Sequence, residues 1–296
     1  MTSRSTDTAA DRIEGARALN VEAKSRIDDV AKRCASVLRG RPRGIFSDFD
    51  GTLSEIAPTP QDAVPYPGAR EALQRVSEVA DVAGIITGRA VADVQVKVDV
   101  PTLTIVGNHG LEWFEGGKHV DHEAGVAAQQ AIKEALSETE RRLKSVVSTE
   151  GMIWENKRLT ASIHFRNSDD PVEVGMALLP IIEEEATSRG LRVSSGKMLV
   201  ELRPLAVVSK GTALEQLVRT RGLRSAIFLG DDVTDVDGFR ALHRLRDEEG
   251  IATMAVAIRS ADVHPEVISE SDVVLESVAE SVAMLNRLAD LLGSEA

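Results

Sequence analysis

The sequence predicts an α/β fold: a parallel sheet with crossover helices, interrupted by an inserted α+β module. Three observations point there. Apolar runs of strand length alternate with helical stretches near both ends of the chain, the signature of strands joined by crossover helices. Several of those runs stop at polar, glycine-containing segments, where parallel sheets bind their ligands. Between the two stretches the rhythm changes to helix, two strands, helix, two strands. The expected division is a helical extension over 1–40, a core over 41–115 and 204–296, and an inserted cap over 116–203.

Residues 9–39 read as helix, with Ile27, Val30, Ala31, Cys34 and Leu38 forming one apolar stripe. A helix packed on the unit it precedes explains that stripe, and it makes Cys34 a core residue. Pro42 and Gly44 break the helix, and Ile45-Phe46 leads into Ser47-Asp-Phe-Asp-Gly51. Four prolines (Pro58, Pro60, Pro65 and Pro67) mark a loop. Residues 68–80 are helical, 82–86 end as a strand at Thr87-Gly-Arg89, and 102–106 end at Gly107-Asn-His-Gly110. In the insert, 123–147 and 171–188 are helical, and 152–155 with 159–165 and 191–194 with 198–202 form strand pairs. After Pro204 the first pattern returns: helix 210–219, strand 226–229 ending in Gly230-Asp-Asp-Val-Thr-Asp235, helix 235–243, strand 253–258 and a closing helix 278–292.

Composition excludes several classes. With 35 Lys and Arg against 47 Asp and Glu, the net charge is −12; with no basic cluster, a nucleic-acid or anionic-membrane binder is not expected. One cysteine allows no internal disulfide and no thiolate-rich metal centre. Apolar stretches such as Met254–Ile258 fall far short of the roughly 20 residues a membrane helix needs. The first twelve residues lack the apolar core of a secretory signal. The expectation is a soluble cytoplasmic protein.

Asp48-Phe-Asp-Gly-Thr-Leu53 carries the strongest chemical signal. Two carboxylates at a strand end need compensation, and a hard cation such as Mg²⁺ with oxygen ligands supplies it. A carboxylate so placed is a competent nucleophile towards phosphorus, and the second acid suits proton transfer. Asp231, Asp232 and Asp235 lie at a second strand end; N-capping explains one of them but not Asp231 and Asp232 together. Thr87 offers a hydroxyl beside free N–H groups. Lys210 starts a helix against the dipole, so an anion beside it is expected.

In this order, Asp48-Phe-Asp-Gly-Thr, Thr87-Gly-Arg89, Lys210 and Gly230-Asp-Asp resemble the motifs of the haloacid dehalogenase superfamily of phosphohydrolases. The insert falls between the second and third, as in that superfamily's larger caps. Gly107-Asn-His-Gly110, Trp154-Glu-Asn-Lys157, His164-Phe-Arg166, Gly196-Lys-Met-Leu-Val-Glu201 and Gly230-Asp-Asp-Val-Thr-Asp235 narrow the resemblance to its trehalose-6-phosphate phosphatase family, over about 44–292. Val236 stands where that family commonly has Glu, and Thr87 where Ser is frequent.

The resemblance implies a Rossmann-like core and a two-step hydrolysis of a phosphomonoester. Asp48 would attack phosphorus, and Asp50 would protonate the leaving oxygen and later deprotonate water. Thr87 and Lys210 would hold phosphoryl oxygens. Mg²⁺ would sit on Asp48, Asp50 through its carbonyl, and Asp231, with Asp232 or Asp235 assisting. The substrate would be read by Arg89, Asn108 and His109 of the core and by Glu155, Lys157, Arg166, Lys197 and Glu201 of the cap. With aromatic residues at 3%, charged and amide groups must read the sugar. The expected partner is a small sugar phosphate, with no nucleic acid and no membrane, and a monomer is compatible. Open alternatives are a phosphatase of sucrose 6-phosphate or mannosyl-3-phosphoglycerate, and a non-catalytic sugar-phosphate sensor.

Overall fold

The computed structural model describes residues 21–196, 198–260 and 263–294. Its larger sheet has the order β12-β11-β10-β1-β2-β3-β4-β5. The strands are β1 (Arg43–Ser47), β2 (Val82–Ile86), β3 (Thr104–Gly107), β4 (Glu112–Glu115), β5 (Lys118–Asp121), β10 (Ser225–Gly230), β11 (Ala252–Ile258) and β12 (Val273–Leu275). β12 through β3 pair in parallel, whereas β4 and β5 are antiparallel additions at one edge. The predicted α/β class is therefore observed, with β1 at the centre beside β10 and β2.

Side-chain alternation builds the two faces. Ile45, Ile227 and Leu229 point to one core and Phe46, Ala226 and Phe228 to the other, as a strand period of two requires. The first face is covered by α1 (Val21–Val37), α2 (Ala69–Val79), α3 (Val91–Val98) and α9 (Val278–Gly293). The second is covered by α6 (Lys210–Thr220), α7 (Val233–Glu249) and α8 (Pro265–Ser269). The stripe Ile27, Val30, Ala31, Cys34 and Leu38 is buried against the first face, and burial pushes the Cys34 thiol up to about 12. The expected helical residues 9–20 lie outside the described residues. Among those described, no helix is long and apolar enough to cross a membrane.

A second, antiparallel sheet has the order β6-β7-β9-β8. It comprises β6 (Ile153–Asn156), β7 (Ala161–His164), β8 (Leu191–Gly196) and β9 (Leu199–Pro204). α4 (Glu123–Leu143) and α5 (Pro171–Ser188) cover one face with a core that includes Ile132, Leu178, Ile163 and Leu202. Residue 116, the expected start of the insert, falls in the turn between β4 and β5, and both of those strands belong to the larger sheet. Elements not anticipated from sequence are α3, β4, β5, α8 and β12. They are short, and β5 is mostly exposed; α3 does carry a buried stripe, Val91, Val94 and Val98, but over only eight residues, too few to mark a helix in sequence.

Candidate active site

The loops after β1 and β10 meet at one point. Gly51 has φ 74, and a Cβ there would lie 2.0 Å from Asp231 Oδ2; only glycine permits both the turn and the approach. Thr52 Oγ1 donates to Asp231 Oδ1 at 3.1 Å. Lys210, first in α6 and 2% exposed, places Nζ 2.9 Å from Asp48 Oδ2 and 2.7 Å from Asp235 Oδ1. The other Asp235 oxygen accepts the N–H groups of Asp231 and Asp232 at 3.1 Å each. Asp235 therefore shapes the loop and fixes the lysine together. This is the anion expected beside Lys210.

One carboxylate oxygen each from Asp48, Asp231 and Asp235 lies within 4.8 Å of the others. Burial pushes Asp48 up to about 7 against the pull of Lys210, with Asp235 and Asp50 adding to the rise. Burial, Asp235 and Asp48 hold Asp231 well above the usual carboxylate range. Lys210 is raised, because its two acid partners outweigh its burial. Asp48 Oδ1 is buried and accepts no hydrogen bond among the described residues. Three buried acids around one ammonium leave negative charge in excess, and these hard oxygen donors fit a divalent cation such as Mg²⁺. Asp232 stands at the half-buried rim as the cap of α7, so Asp235 rather than Asp232 joins this cluster.

Asp50 faces Arg89, which donates to its two carboxylate oxygens at 2.7 Å each. Arg89 also binds Asp93 and the Pro60 carbonyl, and its guanidinium lies 5.4 Å from the Phe49 ring centroid. Thr87 is buried at the end of β2. Asp48, Asp50, Thr87, Arg89, Lys210, Asp231 and Asp232 all line a cleft of about 1200 Å³ between the two sheets.

The other wall of the cleft comes from the smaller sheet. Glu155, Lys157, Arg166 and Glu201 line it, with His109 opposite. Glu201 Oε2 lies 3.1 Å from His109 Nε2, and its Oε1 lies 3.1 Å from Lys157 Nζ. Lys157 also donates to the Gly88 carbonyl at 3.2 Å, so the two units touch at the expected substrate residues. Asn108 departs from its expected place. Its amide nitrogen donates to Glu112 at 2.9 Å, its oxygen accepts from Thr160 Oγ1 at 2.7 Å, and it is fully buried away from the cleft. Lys197 lies outside the described residues. Sequence reading missed Arg203, a buried residue of the cleft; a charged strand residue ordinarily marks a solvated face.

Asn108 and His109 have φ of 48 and 56, a strained pair of the kind that concentrates at functional sites. Burial lowers His109 to about 4, against Glu201. Burial acts to raise Glu201, yet the charge of Lys157, together with the hydrogen bond from His109, holds it well below its usual range. His109 is therefore a neutral imidazole donating Nε2–H to a carboxylate. Unfolded, it would bind a proton near pH 6.5; folded, it binds one only near 4. The unfolded chain thus holds more protons between those values, and acidification through that window drains stability through this group. The imidazole signals of His109, followed by NMR, should stay flat from pH 8 down to about 5.5; a midpoint near 6.5 would contradict the buried, neutral assignment.

The comparisons with known proteins agree with this geometry. The family model described as Trehalose-phosphatase matches residues 46–277. A trehalose-phosphate phosphatase of Mycobacterium marinum is 37% identical over 216 residues, 69% of this chain and 54% of that protein. An uncharacterized glycosyl hydrolase of Mycobacterium tuberculosis is 37% identical over 215 residues, 70% of this chain but 16% of that protein. The chain thus spans about half, or much less, of the length of these curated relatives. The C-terminal domain of the Candida albicans trehalose-6-phosphate phosphatase shares the fold, with a TM-score of 0.72 at 20% identity over 89% of this chain and 96% of that one. With the matched region taking in both the acid cluster and the four-stranded sheet above it, the chain belongs to the trehalose-phosphatase family.

Proposed function

We propose that the chain hydrolyses trehalose 6-phosphate to trehalose and phosphate through an aspartyl phosphate on Asp48. One observation carries this reading: the Asp48 carboxylate sits at the floor of a cleft, fixed by Lys210 at 2.9 Å, with charged groups of a second sheet above it. The smaller sheet with α4 and α5 is the lid in this reading.

An Asp48 oxygen attacks phosphorus, the bond from phosphorus to the sugar oxygen breaks, and Asp50 delivers a proton to that oxygen. Water then attacks the phosphorus of the acyl phosphate, Asp50 takes its proton, and the bond to Asp48 breaks to release inorganic phosphate. Lys210 and the Thr87 hydroxyl hold phosphoryl oxygens as charge builds on them. Asp48, the Asp50 carbonyl and Asp231 would hold Mg²⁺, with Asp235 behind them and Asp232 assisting through water. When bound, the ion would offset the excess carboxylate charge and supply Lewis-acid polarisation of the phosphoryl oxygens.

Arg89 engages Asp50 through two bonds, and an arriving phosphate competes for that guanidinium. Release from Arg89 then frees the Asp50 carboxylate for proton transfer. Glu155, Lys157, Arg166, Lys197 and Glu201 would read the sugar hydroxyls by charged hydrogen bonds. The Glu201–His109 contact spans the two units, so a sugar bonded to Glu201 is held over the core.

Asp48→Asn should lower phosphate release at least ~1000-fold, as nucleophile removal does elsewhere; near-normal turnover in a colorimetric phosphate assay would remove the nucleophile assignment. Glu201→Gln should raise KM for trehalose 6-phosphate about tenfold or more and leave KM for an aryl phosphate nearly unchanged. Equal rises would show that the lid does not read the sugar. Sucrose 6-phosphate and mannosyl-3-phosphoglycerate assayed beside these substrates identify the preferred sugar, and release from any of them excludes a silent sensor.

A further inference from the structure

We propose that Arg203, assisted by Arg192, is a positioning residue that ties the strand leaving the lid to the loop entering the phosphate site, so that Glu201 and Lys210 are held in register. The inference rests on the sugar-phosphatase reading above. Arg192 of β8 and Arg203 of β9 are directly paired across the sheet. Both aim at one acceptor: Nη2 of Arg203 donates to the Val208 carbonyl at 3.0 Å and Nη2 of Arg192 to the same oxygen at 3.1 Å. Val208 immediately precedes Ser209, the N-cap of α6, and stands two residues before Lys210.

This arrangement is costly for a merely structural strand pair. Like charges directly opposite one another destabilise a sheet, and the Nε of each arginine is buried without a hydrogen bond among the described residues. Burial and Arg192 lower the pKa of Arg203, with Glu201 opposing them. Glu201 Oε2 lies 3.9 Å from Arg203 Nε, too far for a hydrogen bond. Two guanidinium groups with unmade bonds, converging on a single carbonyl, mark a position held for its geometry.

The contacts close a circuit across the two units. Glu201 and Arg203 share one face of β9, two residues apart. Glu201 binds His109 at 3.1 Å. Gly110 follows His109, and a Cβ on it would stand 2.8 Å from Val208 Cγ1. Val208 returns the path to Arg203 through its carbonyl. Displacing the loop therefore moves the seat of His109 and Glu201 relative to Lys210, which Asp48 and Asp235 anchor from the core side.

The test uses the full chain as Arg203→Met, Arg192→Met and Arg203→Lys. For each, kcat/KM is measured for trehalose 6-phosphate and for p-nitrophenyl phosphate, which has no sugar for the lid to read. Loss of folded enzyme lowers both values alike, so their ratio isolates positioning. The ratio should fall about tenfold in Arg203→Met, since small misplacements cost that much or more. It should fall less in Arg192→Met and recover in Arg203→Lys, which restores a donor. Amide exchange over 205–211 should quicken in both methionine variants. An unchanged ratio in both methionine variants, or unchanged exchange over 205–211, overturns the proposal. If Arg203→Met does not fold, Arg192→Met decides it by the same two readings. If the wild-type chain releases no phosphate from trehalose 6-phosphate, the functional reading fails separately, and exchange over 205–211 still decides this one.

Discussion

One buried ammonium holds the site together. Lys210 touches Asp48 and Asp235 at 2.9 and 2.7 Å, and without it the two acid loops could not close over one another in a dry environment. Its position follows from the sheet. β1 and β10 are neighbours at the centre, so their C-terminal ends deliver Asp48 and Asp231 to the same place, and α6 presents its first residue to both. Glycine at 51 removes the side chain that would otherwise collide with Asp231. The lysine neutralises only part of the charge it gathers, and the carboxyl groups remain poised to accept a proton or a cation.

The same logic runs through the second half of the cleft with the signs exchanged. Glu201 is one carboxylate among Lys157, Arg203 and a neutral His109. Its charge is fixed by these neighbours, while the imidazole is kept uncharged by burial. A neutral donor and a charged acceptor form a bond that a sugar hydroxyl, itself both donor and acceptor, can enter. The smaller sheet meets the core here through polar contacts: Glu201 with His109, Lys157 with the Gly88 carbonyl and Thr160 with Asn108.

Much of this was legible in sequence because the acids come in pairs at strand ends. Asp48 and Asp50 follow an apolar run, and at the second strand end N-capping does not account for Asp231 and Asp232 together. Lys210 was legible as an anomaly, a cation at a helix start. Asp235 was legible only as a cap or assistant, because the N3 position of a helix explains an acid without reference to Lys210. Asn108 was placed at the substrate by its motif, whereas its amide is spent on Glu112, one turn along the chain, and on Thr160, 52 residues away, a pairing that only the fold reveals. The β4–β5 hairpin was missed because β5 faces solvent and carries charge at both ends. Arg203 was missed because sequence does not show that a strand arginine is buried against a loop carbonyl.

The central claim is that the loops after β1 and β10 form a site short of positive charge, completed by a divalent ion. Magnesium titration by calorimetry at pH 7, repeated in two buffers of different ionisation enthalpy, tests it most directly. The account predicts one saturable site, loss of that site in Asp231→Asn, and proton release on binding, because Asp48 is pushed up to about 7 in the absence of the ion. No saturable binding, or binding indifferent to Asp231, would contradict it.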